Sequence, residues 1–285
     1  MKTSKTPLLT RTRGHLFFPI IILPFFLFAS NEVHYVAINF DDGYYAVYKY
    51  AYPILSQAGI PFTLGVITKT LSFSRKNISP YSYLTISEIK EMVSSGCEIA
   101  SHSQSHRDLT KLDSLSLWEE LSSSKKILES LFSQEIKSFI YPYGRYDSEV
   151  LRLLPYAGYS LGRSVGWGEV NFFSPYRLPA REVRKGTKVE KVLDYLNKNR
   201  FSILLFHRIL PEPKYFTDYS LKDFQILISY LKLRNDIKFL TLSEMTRKWW
   251  EERLKEILFL ADQKKREELF KRVEMKSDVL RAARR

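Results

Sequence analysis

The chain has 285 residues, of which 45% are hydrophobic, so it can bury the core of one large α/β domain or of two small domains. Its formal net charge of +13 favours anionic surroundings, such as a membrane surface or an acidic cell-wall polymer. The basic residues are scattered and form no recognisable nucleic-acid-binding module, so no nucleic-acid partner is expected. Cys97 is the only cysteine, which excludes an intrachain disulfide and a zinc site built from cysteines.

The first thirty residues are typical of an export signal. Four basic residues precede the apolar run LFFPIIILPFFLFA, and no acidic residue occurs before Glu32. Two prolines interrupt the run, which is shorter than the roughly 20 residues that a membrane span needs. We therefore expect a cleaved signal over residues 1–30, a mature N-terminus near Asn31, and a periplasmic or extracellular protein. An uncleaved anchor, with membrane association, is the alternative.

From Val33 onward, short apolar segments alternate with amphipathic ones. This alternation predicts a parallel sheet covered by helices, and about seven repeats of the unit favour a distorted (β/α)7-type barrel. Strands are expected at 35–40, 62–67, 97–101, 137–141, 158–162, 177–183 and 201–206. Helices are expected at 45–58, 85–95, 114–132, 147–154, 187–198 and 220–234.

The pattern changes after Met245. The remaining sequence is dense in Lys, Arg and Glu and contains no Gly or Pro, which predicts one or two helices. We expect a barrel domain over residues 31–246 and a charged helical tail over 247–285. The tail either packs an apolar stripe on the domain or presents it to a partner or membrane surface; the stripe comprises Trp250, Leu254, Ile257, Leu258 and Ala261.

Side chains of catalytic type follow several of the expected strands. Asp41 and Asp42 end the first, His102 and His106 follow the third, and His207 follows the last. In a β/α barrel the carboxyl ends of the strands meet at one face, where active sites are built. Two imidazoles and one carboxylate would hold a zinc-type ion with a position open for water. The two histidines would share one face of a helix if a helix began at the end of the third strand.

Four motifs occur in a characteristic order: NFDDG, SHSQSH, FIYPYG and LLFH. Over roughly residues 33–245 this set resembles the polysaccharide deacetylases of the NodB-like group, carbohydrate esterase family 4. The YPYG form is most similar to the branch that contains poly-N-acetylglucosamine deacetylases. The resemblance implies metal-dependent hydrolysis of N-acetyl groups from an N-acetylglucosamine-containing polysaccharide, either an exopolysaccharide or a cell-wall glycan.

The resemblance also implies a role for each motif residue. Asp41 would be the general base, and His207 would protonate the leaving amine. The backbone N–H of Tyr143 would stabilise the oxyanion, and Leu205 would line the acetyl pocket. A divalent metal, with Zn²⁺ preferred, would be held by three side chains: Asp42, His102 and His106.

One motif departs from the family pattern. At the position of Ile140 the family often has an arginine that orients the base, and isoleucine cannot do so. Arg181, near the end of an expected strand, is the predicted replacement, ahead of Arg145 and Arg163, which are expected in loops. We therefore expect the Arg181 guanidinium to lie within hydrogen-bond distance of Asp41.

Two other functions compete with this one. GRSVG fits the Gly-x-Ser-x-Gly pattern, and Ser164, Asp194 and His207 occur in the order of an α/β-hydrolase triad. However, a loop rather than the required helix is expected after Ser164. The non-enzymatic alternative is a catalytically inactive barrel that binds glycan through exposed aromatic side chains.

Overall fold

The computed structural model describes residues 32–75 and 77–282, apart from the side chains of 269–270 and 272–282. The expected signal segment, residues 1–30, and its cleavage point near Asn31 lie outside the described residues.

Seven parallel strands form the closed sheet that the alternation predicts, so the (β/α)7-type barrel is confirmed. Each strand pairs with the next along the chain, and the first also pairs with the seventh from Tyr35 to Phe40, which closes the barrel. The third and fourth strands share a single residue pair, Ser101 with Phe139, so the barrel is distorted there. The strands are β1 (His34–Phe40), β2 (Phe62–Val66), β3 (Cys97–Ser101), β4 (Ser138–Ile140), β5 (Leu161–Val165), β6 (Leu178–Glu182) and β7 (Phe201–Phe206).

Helices cover the outside of the barrel, and polar side chains define where several of them begin. Thr85 and Glu88 form a reciprocal capping box at one helix, and Asp113 accepts two backbone N–H bonds at the next. A single π-helical turn, Val47–Ala51, precedes the first helix. The helices between the strands are α1 (Tyr52–Ala58), α2 (Ile86–Ser94), α3 (Ser114–Phe132), α4 (Ser148–Tyr156), α5 (Val189–Lys198) and α6 (Leu221–Leu233).

The fifth strand is displaced by three residues from its expected position. It was expected at 158–162 and lies at Leu161–Val165, whereas the other six strands agree with expectation to within one residue. The cause is the end of α4, where Gly158 adopts a φ of +87° and the Tyr159 N–H donates to Leu154 O. These residues belong to the helix cap, so Arg163 lies inside the strand rather than in a loop.

Three further strands were not predicted, because three residues are too few to show an alternating pattern. β8 (Arg208–Leu210) and β9 (Asp218–Ser220) pair with each other beside the barrel. β10 (Ile237–Phe239) pairs with the first residues of β1, at His34–Val36.

Alternate side chains of β1 face two apolar layers. Val36 and Ile38 belong to the cluster that the outer helices cover, whereas Tyr35 and Ala37 belong to a smaller cluster that includes Leu242 and Met245. The helix after β10 therefore contributes its first turns to the core of the barrel.

This last helix, α7 (Leu242–Ala282), is anchored at its start by polar contacts as well as by burial. The Thr241 and Glu244 side chains accept each other's backbone N–H, and the Ser243 N–H donates to Glu98 at 3.0 Å. The expected boundary between residues 246 and 247 thus falls inside a continuous helix. Most of the described side chains beyond Trp249 are exposed. Among the described residues, no helix is both long enough and apolar enough to span a bilayer.

Candidate active site

The carboxyl ends of the strands enclose a cavity of about 680 Å³. The turns after β1, β3, β4 and β7 and the end of β6 supply its polar walls. Seven of the eight sequence-predicted site residues line this cavity, and Arg181 does not. Those seven are Asp41, Asp42, His102, His106, Tyr143, Leu205 and His207.

The two adjacent aspartates are separated by a sharp change in backbone direction. Asp41 continues the line of β1, and its N–H donates to Phe206 O at 2.9 Å. Asp42 adopts a φ of +71°, a left-handed conformation that is uncommon for a residue other than glycine. The turn therefore gives the two carboxylates different neighbours although they are consecutive in sequence.

Three potential metal ligands converge on one point. Asp42 Oδ1 lies 3.4 Å from His102 Nε2 and 3.4 Å from His106 Nε2, and the three ligand atoms lie within 4.8 Å of one another. Asp42 Oδ1 is buried and has no hydrogen-bond partner among the described residues. A buried carboxylate oxygen is costly without a partner, and a cation at this point would supply one. The ligand set therefore fits a divalent metal.

The orientation of the His102 ring is fixed by the backbone of a neighbouring strand. Its Nδ1 lies 2.8 Å from Ile140 O, a carbonyl that can only accept, so Nδ1 carries the proton. The lone pair of Nε2 then points towards Asp42. A backbone carbonyl on the distal nitrogen is the usual way to orient a metal-ligating imidazole.

His106 reaches the site from a loop, not from a helix. No helix begins at the end of β3, so the condition under which His102 and His106 would share a helix face is not met. Instead, Ser103 and His106 adopt φ values of +63° and +60°, and the His106 N–H donates to Ser103 Oγ at 2.9 Å. This tight loop turns the chain back, so that both imidazoles meet Asp42.

Left-handed backbone is concentrated at this face of the barrel. The described non-glycine residues with positive φ number five, and only Ser133 among them lies away from the cavity region. Such conformations cost about 1–3 kcal/mol each and persist where the surrounding structure enforces them, commonly at functional sites. The residues are Asp42, Ser103, His106, Ser133 and Tyr143.

The electrostatics of the cluster favour positive charge at its centre. Burial raises the pKa of Asp42, but the adjacent His102 and the charges of His207 and His106 lower it more, to well below its ordinary value. Burial lowers the pKa of His102, but Asp42 and Asp41 raise it by more, so the pKa lies above its ordinary value. Burial and the positive charge of His102 together lower the pKa of His106 below its ordinary value. Asp42 is therefore an anion at neutral pH, and its surroundings stabilise a cation.

Arg163, rather than Arg181, pairs with Asp41. Arg163 is completely buried, and its Nη2 donates to Asp41 Oδ1. In the ladder between β4 and β5, Arg163 stands directly opposite Ile140, the position where the family often has its arginine. The cation that pairs with Asp41 therefore comes from β5 and not from β4, the strand that contains Ile140. Recognition of Gly158 as a helix cap would have placed the start of β5 later in the sequence and Arg163 within the strand.

Arg181 has a different environment. Its guanidinium lies 3.3 Å from the centroid of the Trp167 ring, in a second cavity beside the first. The expectation that it lies on Asp41 is therefore wrong. Successive residues of a strand point to opposite sides, and the next residue, Glu182, faces the site instead.

Glu182 is a site residue that sequence reasoning missed. Its Oε1 lies 3.9 Å from His207 Nδ1, which is buried and has no hydrogen-bond partner among the described residues. The carboxylate faces the imidazole from the end of the adjacent strand. Glu182 belongs to the LPAREV segment. The alternation of side-chain directions along that strand could have predicted that Glu182 and Arg181 face opposite sides.

The remaining predicted residues complete the wall. Tyr143 lies in a short turn whose hydrogen bonds come from the Gly144 and Arg145 amides, and its ring packs on His106 at 4.7 Å between centroids. Leu205 is fully buried and contributes to the floor.

Ser164 lacks the surroundings of a nucleophile. It lies within β5, not at a strand-to-helix turn, and its hydroxyl donates to Gly144 O at 2.6 Å. Asp194 is on α5 and pairs with Lys198 at 2.9 Å. These contacts give no support to a serine-hydrolase triad.

The fold and site together define a parallel β/α barrel with a candidate mononuclear metal site and an arginine-paired aspartate at its carboxyl end. Residues 29–162 match the family model described as polysaccharide deacetylase. This stretch, just under half of the chain, is therefore similar to a polysaccharide deacetylase domain. The matched region includes Asp41, Asp42, His102, His106 and Tyr143 and ends before Arg163 and His207.

Individual proteins show the same relationship. The chain is 35% identical over 127 residues to a putative polysaccharide deacetylase, YxkH, of Bacillus subtilis, covering 45% of this chain and 43% of that protein. It is 31% identical over 139 residues to the poly-beta-1,6-N-acetyl-D-glucosamine N-deacetylase of Staphylococcus aureus, covering 46% of this chain and 47% of that protein. The chain thus spans less than half the length of these curated relatives.

A solved structure agrees with the fold. The Streptococcus pyogenes deacetylase PplD, determined in complex with acetate, is 25% identical with a TM-score of 0.52. The alignment covers 56% of this chain and 69% of that chain.

Proposed function

We propose that the protein hydrolyses N-acetyl groups on an N-acetylglucosamine-containing polysaccharide, using a divalent metal. The observation that carries this proposal is the convergence of Asp42, His102 and His106 beside the buried Asp41–Arg163 pair, with His207 in the wall of the same cavity. A metal site, a carboxylate base and an imidazole acid are the groups that metal-assisted amide hydrolysis uses.

The ligand set favours Zn²⁺. Two neutral imidazole nitrogens and one carboxylate oxygen are typical of catalytic zinc sites, which keep a position open to solvent. When bound, the metal would supply a polarised water and a positive charge near the acetyl carbonyl. The chain's own contribution is to hold its three ligand atoms in place before the metal binds, through the His102–Ile140 contact and the left-handed loop at His106.

Asp41 is the proposed general base. Its Oδ1 is taken by Arg163, which leaves Oδ2 facing the ligand cluster, 3.9 Å from His102 Nε2. The base is therefore fixed in orientation by a buried cation on its far side. It accepts one proton from the attacking water while the new carbon–oxygen bond forms.

His207 is the proposed general acid. It delivers a proton to the amine nitrogen as the carbon–nitrogen bond breaks, which yields acetate and a glucosamine unit. Glu182 faces its Nδ1 and would hold the imidazole so that Nε2 points into the cavity. The backbone N–H of Tyr143 is the proposed donor to the oxyanion, and Leu205 the wall of the acetyl pocket.

The choice of substrate class rests on the relatives. One of them is named for deacetylation of poly-beta-1,6-N-acetyl-D-glucosamine, and the similarity to it is 31% over about half of this chain. Exopolysaccharide and cell-wall glycan are both compatible with a cavity open to solvent. An exported location, with membrane or cell-wall association, follows as a proposal from the basic and apolar composition of residues 1–30.

The direct test is acetate release from N-acetylglucosamine oligomers, measured with and without a chelator and after Zn²⁺ is restored. We expect release that the chelator abolishes and zinc recovers. Oligomer binding without release would favour the inactive glycan-binding barrel. Chelator-insensitive release together with fluorophosphonate labelling of Ser164 would favour a serine hydrolase.

A further inference from the structure

A second cavity, of about 410 Å³, adjoins the candidate active site. Val165 and Glu182 line both cavities, so the two cavities are direct neighbours on the same face of the barrel. The second cavity lies where β6 passes into the loop before α5. Its other lining residues are Trp167, Arg181, Arg184, Lys185, Gly186, Thr187, Lys188 and Lys191.

The charge of this cavity is strongly one-sided. Two arginines and three lysines line it, and Glu182 is the only acidic residue among them. Glu182 is shared between the Arg184 guanidinium, at 3.2 Å, and the His207 imidazole, at 3.9 Å. The cavity therefore keeps a net positive charge after this carboxylate is counted.

Two of the cations, Arg181 and Lys185, are held in place by contacts that leave their charge uncompensated, whereas Arg184 also pairs with Glu182. Arg181 lies on the Trp167 ring, and Arg184 lies 4.5 Å from the Phe216 ring centroid. Lys185 donates to the backbone carbonyl of Lys214 at 3.2 Å. An aromatic face or a carbonyl orients a cation but does not neutralise it, so Arg181 and Lys185 remain available to an external anion.

We propose that this cavity binds an anionic group, a carboxylate or a phosphate, carried by the same glycan whose acetyl group lies in the active site. The proposal rests on the proposed function, because the two cavities are taken as subsites for one polymer. The substrate class is then an acidic N-acetylglucosamine-containing glycan rather than a neutral homopolymer. Trp167, 73% exposed, offers a ring face for the sugar that carries the acidic group.

The test compares three oligosaccharides of equal length by calorimetric binding to the zinc-loaded chain. One is an uncharged N-acetylglucosamine oligomer, one carries lactyl carboxylates on alternate units, and one carries phosphate esters. We expect an acidic oligosaccharide to bind about tenfold more tightly than the neutral one at low salt, a preference that falls as salt shortens the screening length. Comparison of the two acidic oligosaccharides identifies which anion is preferred.

The variant Lys188→Gln/Lys191→Gln removes two exposed lysines of the cavity. The ratio of acidic to neutral affinity should fall about 2- to 10-fold, because exposed ion pairs contribute about 0.2–1 kcal/mol each and the wild-type preference of about tenfold is the upper limit of the loss. Lys126→Gln/Lys222→Gln is the matched control, since both lysines are exposed on other helices and line neither cavity. This control should keep the wild-type ratio.

The outcomes separate this inference from the proposed function. Equal affinity for all three oligosaccharides, or an equal change in both double variants, overturns the anion subsite even if acetate release is observed. A preference lost only in Lys188→Gln/Lys191→Gln, without acetate release from any oligosaccharide, supports the subsite and removes the proposed activity. Equally tight binding of a single-stranded oligonucleotide would show general polyanion attraction and overturn the assignment to a glycan.

Discussion

Replacing Arg163 by methionine should both destabilise the barrel and disable the proposed base. Arg163 is 0% exposed and Asp41 3% exposed, so the substitution leaves a buried carboxylate without its cation. Removing one member of a buried ion pair costs about 3–5 kcal/mol. Two other guanidinium nitrogens of Arg163, Nε and Nη1, have no hydrogen-bond partner among the described residues, and their burial penalty disappears with the side chain. We therefore expect a loss near the lower limit, about 3 kcal/mol, or a decrease in Tm of roughly 6–12 °C.

The companion variant Asp41→Asn should cost more, about 5 kcal/mol, because it leaves a fully buried guanidinium without an anion. The double variant, Asp41→Asn with Arg163→Met, removes both charges and should be less destabilised than the sum of the single variants by about 2–3 kcal/mol. Denaturation at one fixed zinc concentration measures all three. Additive single effects would show that the two side chains do not interact.

Turnover gives the second readout. Acetate release should fall about 100-fold in Arg163→Met while zinc stays bound, because the base loses its orientation but the three ligands are untouched. Arg145→Met is the matched control: Arg145 is exposed and pairs with Asp108 at 2.6 Å, a surface contact of less than about 1 kcal/mol. Equal losses of stability and turnover in Arg163→Met and Arg145→Met would refute the assignment of Arg163.

Three further predictions concern the ligands, the acid and the last helix. His106→Ala should lower zinc content and acetate release in parallel, measured by metal analysis of the purified protein; unchanged zinc content would contradict its place in the ligand set. Glu182→Gln should reduce kcat more than KM, because His207 loses the carboxylate that faces Nδ1 and orients the ring; an unchanged kcat would count against the contact. Glu252, which pairs with Lys248, Lys255 and Arg200, has a pKa lowered to about 2, first by Lys248 and then, against the opposing effect of burial, by Lys255. Because its folded pKa lies below its unfolded value, the stabilisation is complete above about pH 4.5 and is lost as pH falls towards 2. Glu252→Gln should therefore flatten acid unfolding in that window, and an identical acid-unfolding curve would exclude the contribution.

Local sequence patterns determined most of the barrel and most of the site. Apolar periodicity places a strand within one residue of its position when all or nearly all of the segment is buried, as in β7 and β3. Parallel β/α topology then gathers the carboxyl ends of the strands at one face, so the adjacent Asp41 and Asp42 meet His207, which is far from them in sequence. None of this requires knowledge of how neighbouring strands are aligned.

Tertiary structure alone decided which arginine reaches Asp41. The choice depends on the end of α4 at Gly158, which shifts β5 by three residues, and on the ladder that sets Arg163 opposite Ile140. It also depends on the direction of Arg181, which alternation turns towards Trp167. Strand register is a non-local property, set by helix termini and cross-strand pairing together. A side chain's identity and position in the sequence therefore do not show which buried carboxylate it will meet.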